Sequence, residues 1–260
     1  MTQIDQGMPP ERRRDQILAY LSARDRSSVG ELSQALGVSE VTVRKDLDLL
    51  ESQGMLTRVH GGALVSGRGR LELFFATREQ DHLEEKRRIA RAGAALIQSG
   101  QRIFLDASTT ALQVARLIKD REDLMVVTNG LYTAIELNFS EGITTIVVGG
   151  TMRRRSSSLV GSLNQNSLQR LRVDIGLFGA RGITARDGMM ETDIDEAQLK
   201  QQFVSASSRV VGLVDASKFG VIAFSAFALP HEISQVITDQ AAPAPMVGEL
   251  RERGIVVDLV

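Results

Sequence analysis

Cysteine is absent from the 260 residues of this chain, which excludes disulfides, thiolate metal sites and cysteine nucleophiles. Histidine is scarce: His60, His82 and His231 lie far apart, without the paired spacing a zinc site uses, so each reads as a surface or packing residue. No motif calls for a cofactor. There is no run of about 18 apolar residues to span a membrane, and the opening MTQIDQGMPPERRR has no apolar stretch of the kind that directs secretion. A cytoplasmic protein without a membrane partner is the expectation. An excess of one charge sign is missing too, with 31 Lys or Arg against 32 Asp or Glu. Repeats and low-complexity tracts are not found. What remains is an ordinary globular composition, 43% hydrophobic and 24% charged, in a chain long enough for two cores.

The stretch RSSVGELSQALGVSEVTVRKDLDLLE is the most informative one present. Ser28 and Glu31 have the spacing of a capping box, and Leu32, Ala35 and Leu36 then give a short helix one apolar face. Gly37 stops that helix, and Ser39 caps a second in which Val43, Leu47 and Leu50 fall on one side. Its opposite side carries Val41, Thr42, Arg44 and Lys45 near the N-terminal end, where recognition helices place the side chains that meet base edges and phosphates. A preceding helix over about 10–24 offers Ile17, Leu18 and Leu21 as a third wall. Beyond it, GMLTRVHGGALV alternates and then turns at Gly61 and Gly62, as a two-stranded wing would, with Arg58 and His60 set beside a duplex.

Charge alone does not bring this segment to DNA. Residues 1–66 hold eight Arg or Lys against nine Asp or Glu, a net −1, so affinity has to come from a locally basic face used in two copies. A homo-oligomer is therefore expected.

The run VSEVTVRKDLDLLESQGMLTRVHGGAL resembles the signature of DeoR-type transcriptional regulators, whose VS..T.R.DL..L...G...R.HGGA pattern spans recognition helix and wing. The resemblance implies that Ser39, Thr42, Arg44 and Lys45 face DNA, that Leu47 and Leu50 pack inward, and that Gly61, Gly62 and Ala63 close the wing. The helix-turn-helix motif occupies about 26–45 of a DNA-binding domain at 1–66. A linker over 67–80 follows, in which Leu71, Leu73, Phe74 and Phe75 are too apolar for a free tether and are expected to pack on a domain or a partner subunit.

From residue 81 to 260 the pattern becomes α/β. Helices are expected over 85–98, 109–119, 131–138 and 194–205, and strands over 102–106, 124–128, 143–148, 175–178 and 210–214. Such a sheet is mostly parallel, and ligands bind beyond the carboxyl ends of its strands. At those ends stand Asp106, Ser108, Thr109 and Thr110, then Thr128 and Asn129, then Gly149 and Gly150 with Arg153 close behind, and finally Asp215 and Lys218. Hydroxyls and backbone N–H groups at a strand-to-helix turn can cradle a phosphate, although an ordinary N-cap is the plainer reading of that one segment. Taken together, small, hydroxyl and cationic residues at successive strand ends suit an anionic ligand such as a sugar phosphate. Of Arg153, Arg154 and Arg155, the first is the candidate and the others read as a solvated loop. Lys218 reads equally as a pocket or a surface lysine.

This half also resembles the effector domain of DeoR-type regulators and, through it, the ribose-phosphate isomerase and CoA-transferase-like fold. In the regulators the segment matching DASTT is usually DxGTT or DxGST and is taken to hold an inducer's phosphate, while the TN, GG and DxSK segments help line the cavity. Here Ser108 replaces the usual glycine. Isomerases of this fold carry catalytic carboxylates in a DGADE stretch, a following lysine and a later helical glutamate. The similar stretch here has Phe178 and Arg181 at the aspartate positions, Glu191 in place of the lysine and Lys200 near the glutamate. Neither Phe178 nor Arg181 can take a proton as a carboxylate base does. Glu191, Glu196 and Lys200 are left as ligand contacts or a structural ion pair. The resemblance implies a homo-oligomeric repressor, dimer or tetramer, of a sugar or polyol operon. It binds double-stranded operator DNA with an affinity modulated by a phosphorylated sugar or polyol. An isomerase with an appended helical domain, and an architectural DNA-binding protein, are the rival readings.

Overall fold

A computed structural model describes residues 8–24, 26–66, 75, 77–161 and 170–260. The chain divides into two compact units, Met1–Arg78 and Glu79–Val260. No helix among the described residues is long and apolar enough to cross a membrane.

The first unit runs α1 (Pro10–Arg24), β1 (Arg26–Ser28), α2 (Val29–Leu36), α3 (Glu40–Ser52) and a hairpin of β2 (Leu56–Val59) and β3 (Gly62–Val65). At the start of α2, the Ser28 hydroxyl accepts from the Glu31 N–H (3.2 Å), while Glu31 Oε2 accepts from the Ser28 N–H (2.7 Å) and the Ser27 hydroxyl (2.6 Å). Gly37 ends the helix at φ 65°, a left-handed conformation that a side chain would strain. Ser39 caps α3 by accepting from the Thr42 N–H. Ile17, Leu18 and Leu21 of α1 meet Leu32, Val43, Leu47 and Leu50 in one core, which the hairpin closes with Leu56, Ala63 and Val65. Ala35 is exposed rather than part of that face, since Leu32 and the partly buried Leu36 already fill the short helix's contribution.

Two tertiary features add to this frame. The short strand β1 pairs antiparallel with β3, giving the order β1-β3-β2. That pairing separates the roles of the two wing glycines. Gly61, at φ 73°, makes the turn, whereas a Cβ on Gly62 would lie 2.2 Å from the Ser27 carbonyl oxygen, so Gly62 permits β1 to approach. The second feature is the buried Asp46 of α3, which accepts from Arg13 Nε at 2.6 Å and has Arg14 at 3.7 Å, tying α3 to α1. Leu71, Leu73 and Phe74 of the linker lie outside the described residues; Phe75 is buried.

The second unit is built on seven parallel strands: β4 (Arg102–Leu105), β5 (Leu124–Thr128), β6 (Ile143–Val147), β9 (Ile175–Phe178), β12 (Val210–Leu213), β14 (Gln235–Thr238) and β15 (Val256–Leu259). Their order is β15-β14-β12-β9-β4-β5-β6. Side chains alternate across the sheet as strand geometry requires. Ile103 and Leu105 pack under α4 (Leu83–Ala95) and α5 (Thr109–Ile118), in the core that holds Ile89, Ala111 and Val114. Phe104 points the other way and stacks on Phe203 of α7 (Ile194–Ala206), with ring centroids 3.6 Å apart. α6 (Leu131–Leu137) follows β5, and α8 (Ala244–Glu252) inserts Val247 and Leu250 into the Phe104 core.

Off the main sheet lie an antiparallel hairpin, β7 (Thr151–Arg153) with β8 (Ser158–Val160), and a three-stranded sheet of β10 (Gly182–Thr184), β11 (Gly188–Glu191) and β13 (Ser225–Ala228). The chain leaves β4 toward β5 and β6, then returns to lay β9 on the other side of β4. This is a topological switch point, and in sheets of this kind the place beyond the carboxyl ends of the strands on either side of it, here β4 and β9, is where ligands bind.

The capping box gives a direct test of the first unit. Hydrogen bonds from the Ser27 hydroxyl, the Ser28 backbone and the Ser28 hydroxyl lower the Glu31 carboxyl from 4.5 to about 2. Its contribution to stability is therefore complete above the ordinary carboxylate range and lost as pH falls through the depressed value. Titration of the Glu31 carboxyl carbon by NMR should show a midpoint near 2, and Ser27→Ala should return it toward 4.5.

Candidate functional site

On α3, Val41, Arg44 and Lys45 are exposed on the side away from the core, and Thr42 is half-buried with its hydroxyl 2.9 Å from that of Ser39. Arg44 donates to Glu40 one turn earlier (2.5 Å), an exposed pair worth about 0.3–0.5 kcal/mol that yields readily to a phosphate. His60 is exposed at the wing tip. Arg58, expected beside it, folds back on α3: its guanidinium donates to Asp48 (2.5 Å) and its N–H to Glu51 (2.8 Å). The wing is thereby fastened to the C-terminal half of α3.

In the second unit the candidate site, termed the crevice, is the place where the loop after β4 meets the loop after β9. Asp106, fully buried, accepts from the Ser108 N–H (3.0 Å) through Oδ1 and from the Gly179 N–H (2.9 Å) through Oδ2. A Cβ on Gly179 would lie 2.5 Å from that of Ser108, so the two loops touch only because residue 179 has no side chain. Ser108 caps α5 through the Ala111 N–H (3.1 Å), which is where the hydroxyl that replaces the usual glycine is engaged. Thr109 and Thr110 are buried in the first turn of that helix.

Beneath lies an ion cluster. Lys200 Nζ, brought in by α7, reaches Glu191 Oε1 at 2.6 Å, Asp106 Oδ2 at 2.8 Å and the Gly179 carbonyl at 2.9 Å. An ammonium has three donors, and here each has an acceptor. Burial alone would lower its pKa; Asp106, Glu191 and Glu196 outweigh burial and hold it above the ordinary lysine value, so it is protonated throughout the physiological range. Glu191 and Lys200 thus form a structural ion pair. Asp106, which the sequence places among the ligand contacts, is a brace with both oxygens engaged within the protein. Its charge faces the ammonium.

Beside the crevice stands the β7–β8 hairpin. Thr128 accepts from the Gly130 N–H (3.0 Å), and Asn129, fully buried, donates to the Leu159 carbonyl (3.3 Å) while its Oδ1 has no partner. Gly150 serves the hairpin itself, since a Cβ there would lie 2.2 Å from the Val160 carbonyl oxygen; Gly149 precedes it, half-buried. Arg153 does not reach free into the crevice. Its guanidinium pairs with Glu196, with Asp193 (3.0 Å) and with the Ser156 hydroxyl (3.0 Å). Burial raises the Glu196 carboxyl, while Lys200 and Arg153 pull it down. Lys218 sits apart, one strand further along, 3.0 Å from the Ser217 hydroxyl and 3.8 Å from Asp215.

Sequence reading missed Asp193, Ser156 and Ser158 here. A signal existed for the first: Asp193 and Glu196 have the D-x-x-E spacing of a helix start, and Asp193 does cap α7 by accepting from the Glu196 N–H. For the serines none existed, because Ser156 and Ser158 become partners (2.7 Å) only when the hairpin closes.

Removing the ammonium isolates the cluster. Lys200→Met leaves Asp106 buried without a cation and Glu191 with Arg181 alone, at 3.9 Å, and should cost about 3–5 kcal/mol in urea unfolding; a loss under about 1 kcal/mol would show that the trio is not the brace described.

Two family models match the chain: the DeoR-like helix-turn-helix domain over residues 13–68 and the DeoR C terminal sensor domain over residues 81–240. Among curated relatives, the HTH-type transcriptional regulator GolR of Listeria innocua is 34% identical over 97% of this chain and 99% of its own length. The glycerol-3-phosphate regulon repressor of Escherichia coli K12 is 30% identical over 97% and 100%. The L-fucose operon activator of Haemophilus influenzae is 33% identical over 87% and 91%. Among solved structures, ribose 5-phosphate isomerase A of Methanocaldococcus jannaschii matches 53% of this chain and 55% of its own with a TM-score of 0.39 at 18% identity, too distant a likeness to carry an argument. With a DNA-reading unit and a sensor unit both matched, and relatives aligned over nearly its whole length, the chain belongs to the DeoR family of transcriptional regulators.

Proposed function

We propose that this regulator works as a homo-oligomer that represses a sugar or polyol operon until a phosphorylated sugar or polyol occupies the crevice between β4 and β9. The division of labour follows the chain: 1–66 reads operator DNA, 67–80 links, and 81–260 senses and oligomerises, in the cytoplasm where the operator is. Ser39, Val41, Thr42, Arg44 and Lys45 enter the major groove from α3, while His60, and Arg58 once released from Asp48, meet the backbone from the wing. Two copies place their recognition helices one helical turn or a multiple apart, about 34–36 Å per turn.

The carrying observation is the junction of the two loops, where the first turn of α5 opens onto a topological switch point over a braced floor. Ser108, Thr109 and Thr110 present hydroxyl and N–H groups to a phosphate, with Thr128, Asn129, Gly149, Gly150 and Arg153 along one wall. Lys218 meets the far end of a longer ligand. The glycerol-3-phosphate regulon repressor among the relatives supports a phosphorylated polyol or sugar, and it favours repression, although the fucose relative is named an activator. Binding without turnover is proposed as well. Lys200 is protonated and saturated, Asp106 and Glu191 are held by it, and Phe178 lies in the core, so neither of those two carboxylates is free to act as a base.

Gel shifts with DNA upstream of the neighbouring genes, run at fixed salt with a panel of sugar and polyol phosphates, test the switch. One member should change operator affinity about 5- to 150-fold, the range of a coupling free energy of about 1–3 kcal/mol. No response in either gel shift or thermal shift would favour the architectural reading; turnover of a panel member would favour the isomerase. Arg44→Ala with Lys45→Ala should abolish operator binding at physiological salt while leaving ligand-induced stabilisation intact. Any residual binding should show a log K against log salt slope shallower by about 2, close to 0.9 for each lost phosphate contact. Unchanged affinity in that double variant would remove α3 as the reader.

A further inference from the structure

An anion entering this crevice meets a charge problem. Asp106, Glu191, Asp193 and Glu196 stand against Lys200, Arg153 and Arg181, so carboxylates outnumber cations. Lys200 cannot turn to a ligand, because it is buried with all three donors met. Arg153 differs in two respects. Its side chain keeps 24% of its exposure. Its carboxylate partners also have other compensation: Asp193 caps α7, both groups sit at the positive end of that 13-residue helix, and Glu196 lies in the field of Lys200.

Position favours Arg153 as well. Across the hairpin it pairs with Ser158, Ser158 bridges to Gly130, and a Cβ on Gly130 would lie 2.9 Å from Ala107 Cα, the residue before Ser108. Backbone pairing thus runs from Arg153 through Ser158 to Gly130, which packs on the loop that leads into the first turn of α5, so the hairpin and that turn share one wall. The buried Oδ1 of Asn129 on this same wall is an acceptor without a partner among the described residues.

We propose that Arg153 is an exchange residue: the anionic group of the effector takes its guanidinium from Glu196 and Asp193, so that ligand binding unfastens the β7–β8 hairpin from α7. The proposal rests on reading the crevice as a sugar- or polyol-phosphate site, and it adds how occupancy is transmitted. Arginine grips a phosphate with two parallel hydrogen bonds, which is what lets the ligand win it from two carboxylates that retain other partners.

Calorimetric titration of the full-length protein with glycerol, pentose and hexose monophosphates and inorganic phosphate separates the possibilities. Arg153→Gln should weaken the best-bound probe at least about tenfold, as loss of a bidentate charged contact does. Glu196→Gln and Asp193→Asn each remove a competing charge and should tighten that probe about 5- to 10-fold, the opposite direction. Asparagine is also an N-cap residue, so Asp193→Asn keeps α7 intact and decides the matter if Glu196→Gln folds poorly. Weakening in all three variants, with lowered melting temperatures, would make Arg153 a structural tie and overturn the exchange while the crevice reading stands. Failure of the wild-type protein to bind any probe would overturn both.

Discussion

The Lys200 ammonium is hydrogen-bonded to groups from three separate places: Asp106 after β4, Gly179 after β9 and Glu191 at the end of β11. Stripping water from an ammonium costs several kcal/mol unless its donors find acceptors, and two carboxylates as near as these would repel one another without it. Each therefore makes the other tolerable. The result is geometric as much as energetic, since the two loops that flank the switch point are held in register and Ser108 is pressed against Gly179. A floor already assembled before a ligand arrives does not have to be ordered on binding. Glu191 and Lys200, brought together from β11 and α7, serve cohesion.

The smaller unit solves a different electrostatic problem. Its acidic and basic residues nearly balance, and four of its arginines pair inside the unit: Arg13 and Arg14 with Asp46, Arg44 with Glu40, Arg58 with Asp48. These pairs are unequal. The buried Asp46 carboxylate has no water to fall back on and holds the helices together. The exposed pairs of α3 and the wing are weak and exchange partners easily. In the proposed two-copy arrangement, weak exposed pairs of this kind give way only where phosphates are aligned with both copies, a useful property in a protein that must prefer one site among many.

Much of this was legible in the chain because the signals were local. The capping serines 28 and 39, the stop at Gly37 and the helical spacing of Val43, Leu47 and Leu50 need only a few consecutive residues, and each stands where expected. Parallel strands buried on both faces read as short apolar runs, which is why β5 and β9 carry the expected bounds. β14, β15 and α8 were missed, their patterns being short and broken by Asp239, Asp258 and the prolines at 243 and 245. In the site, the strand-end residues were found but their partners were not. That Arg153 pairs with Glu196, or that Asp106 braces Lys200, depends on residues 43 and 94 positions apart that only the folded chain brings together.

The close approach of β1 to Gly62 carries a consequence for how an operator is composed. Because Ser27 and Ser28 are laced to Ala63 and Gly62, and the wing is also clasped to α3 through Arg58, groove helix and wing form a single rigid stamp with a fixed footprint. In the proposed two-copy arrangement, base pairs inserted within a half-site would break its match to that stamp, whereas whole turns inserted between half-sites would leave each impression undistorted, so tolerance to operator drift would reside between the two copies.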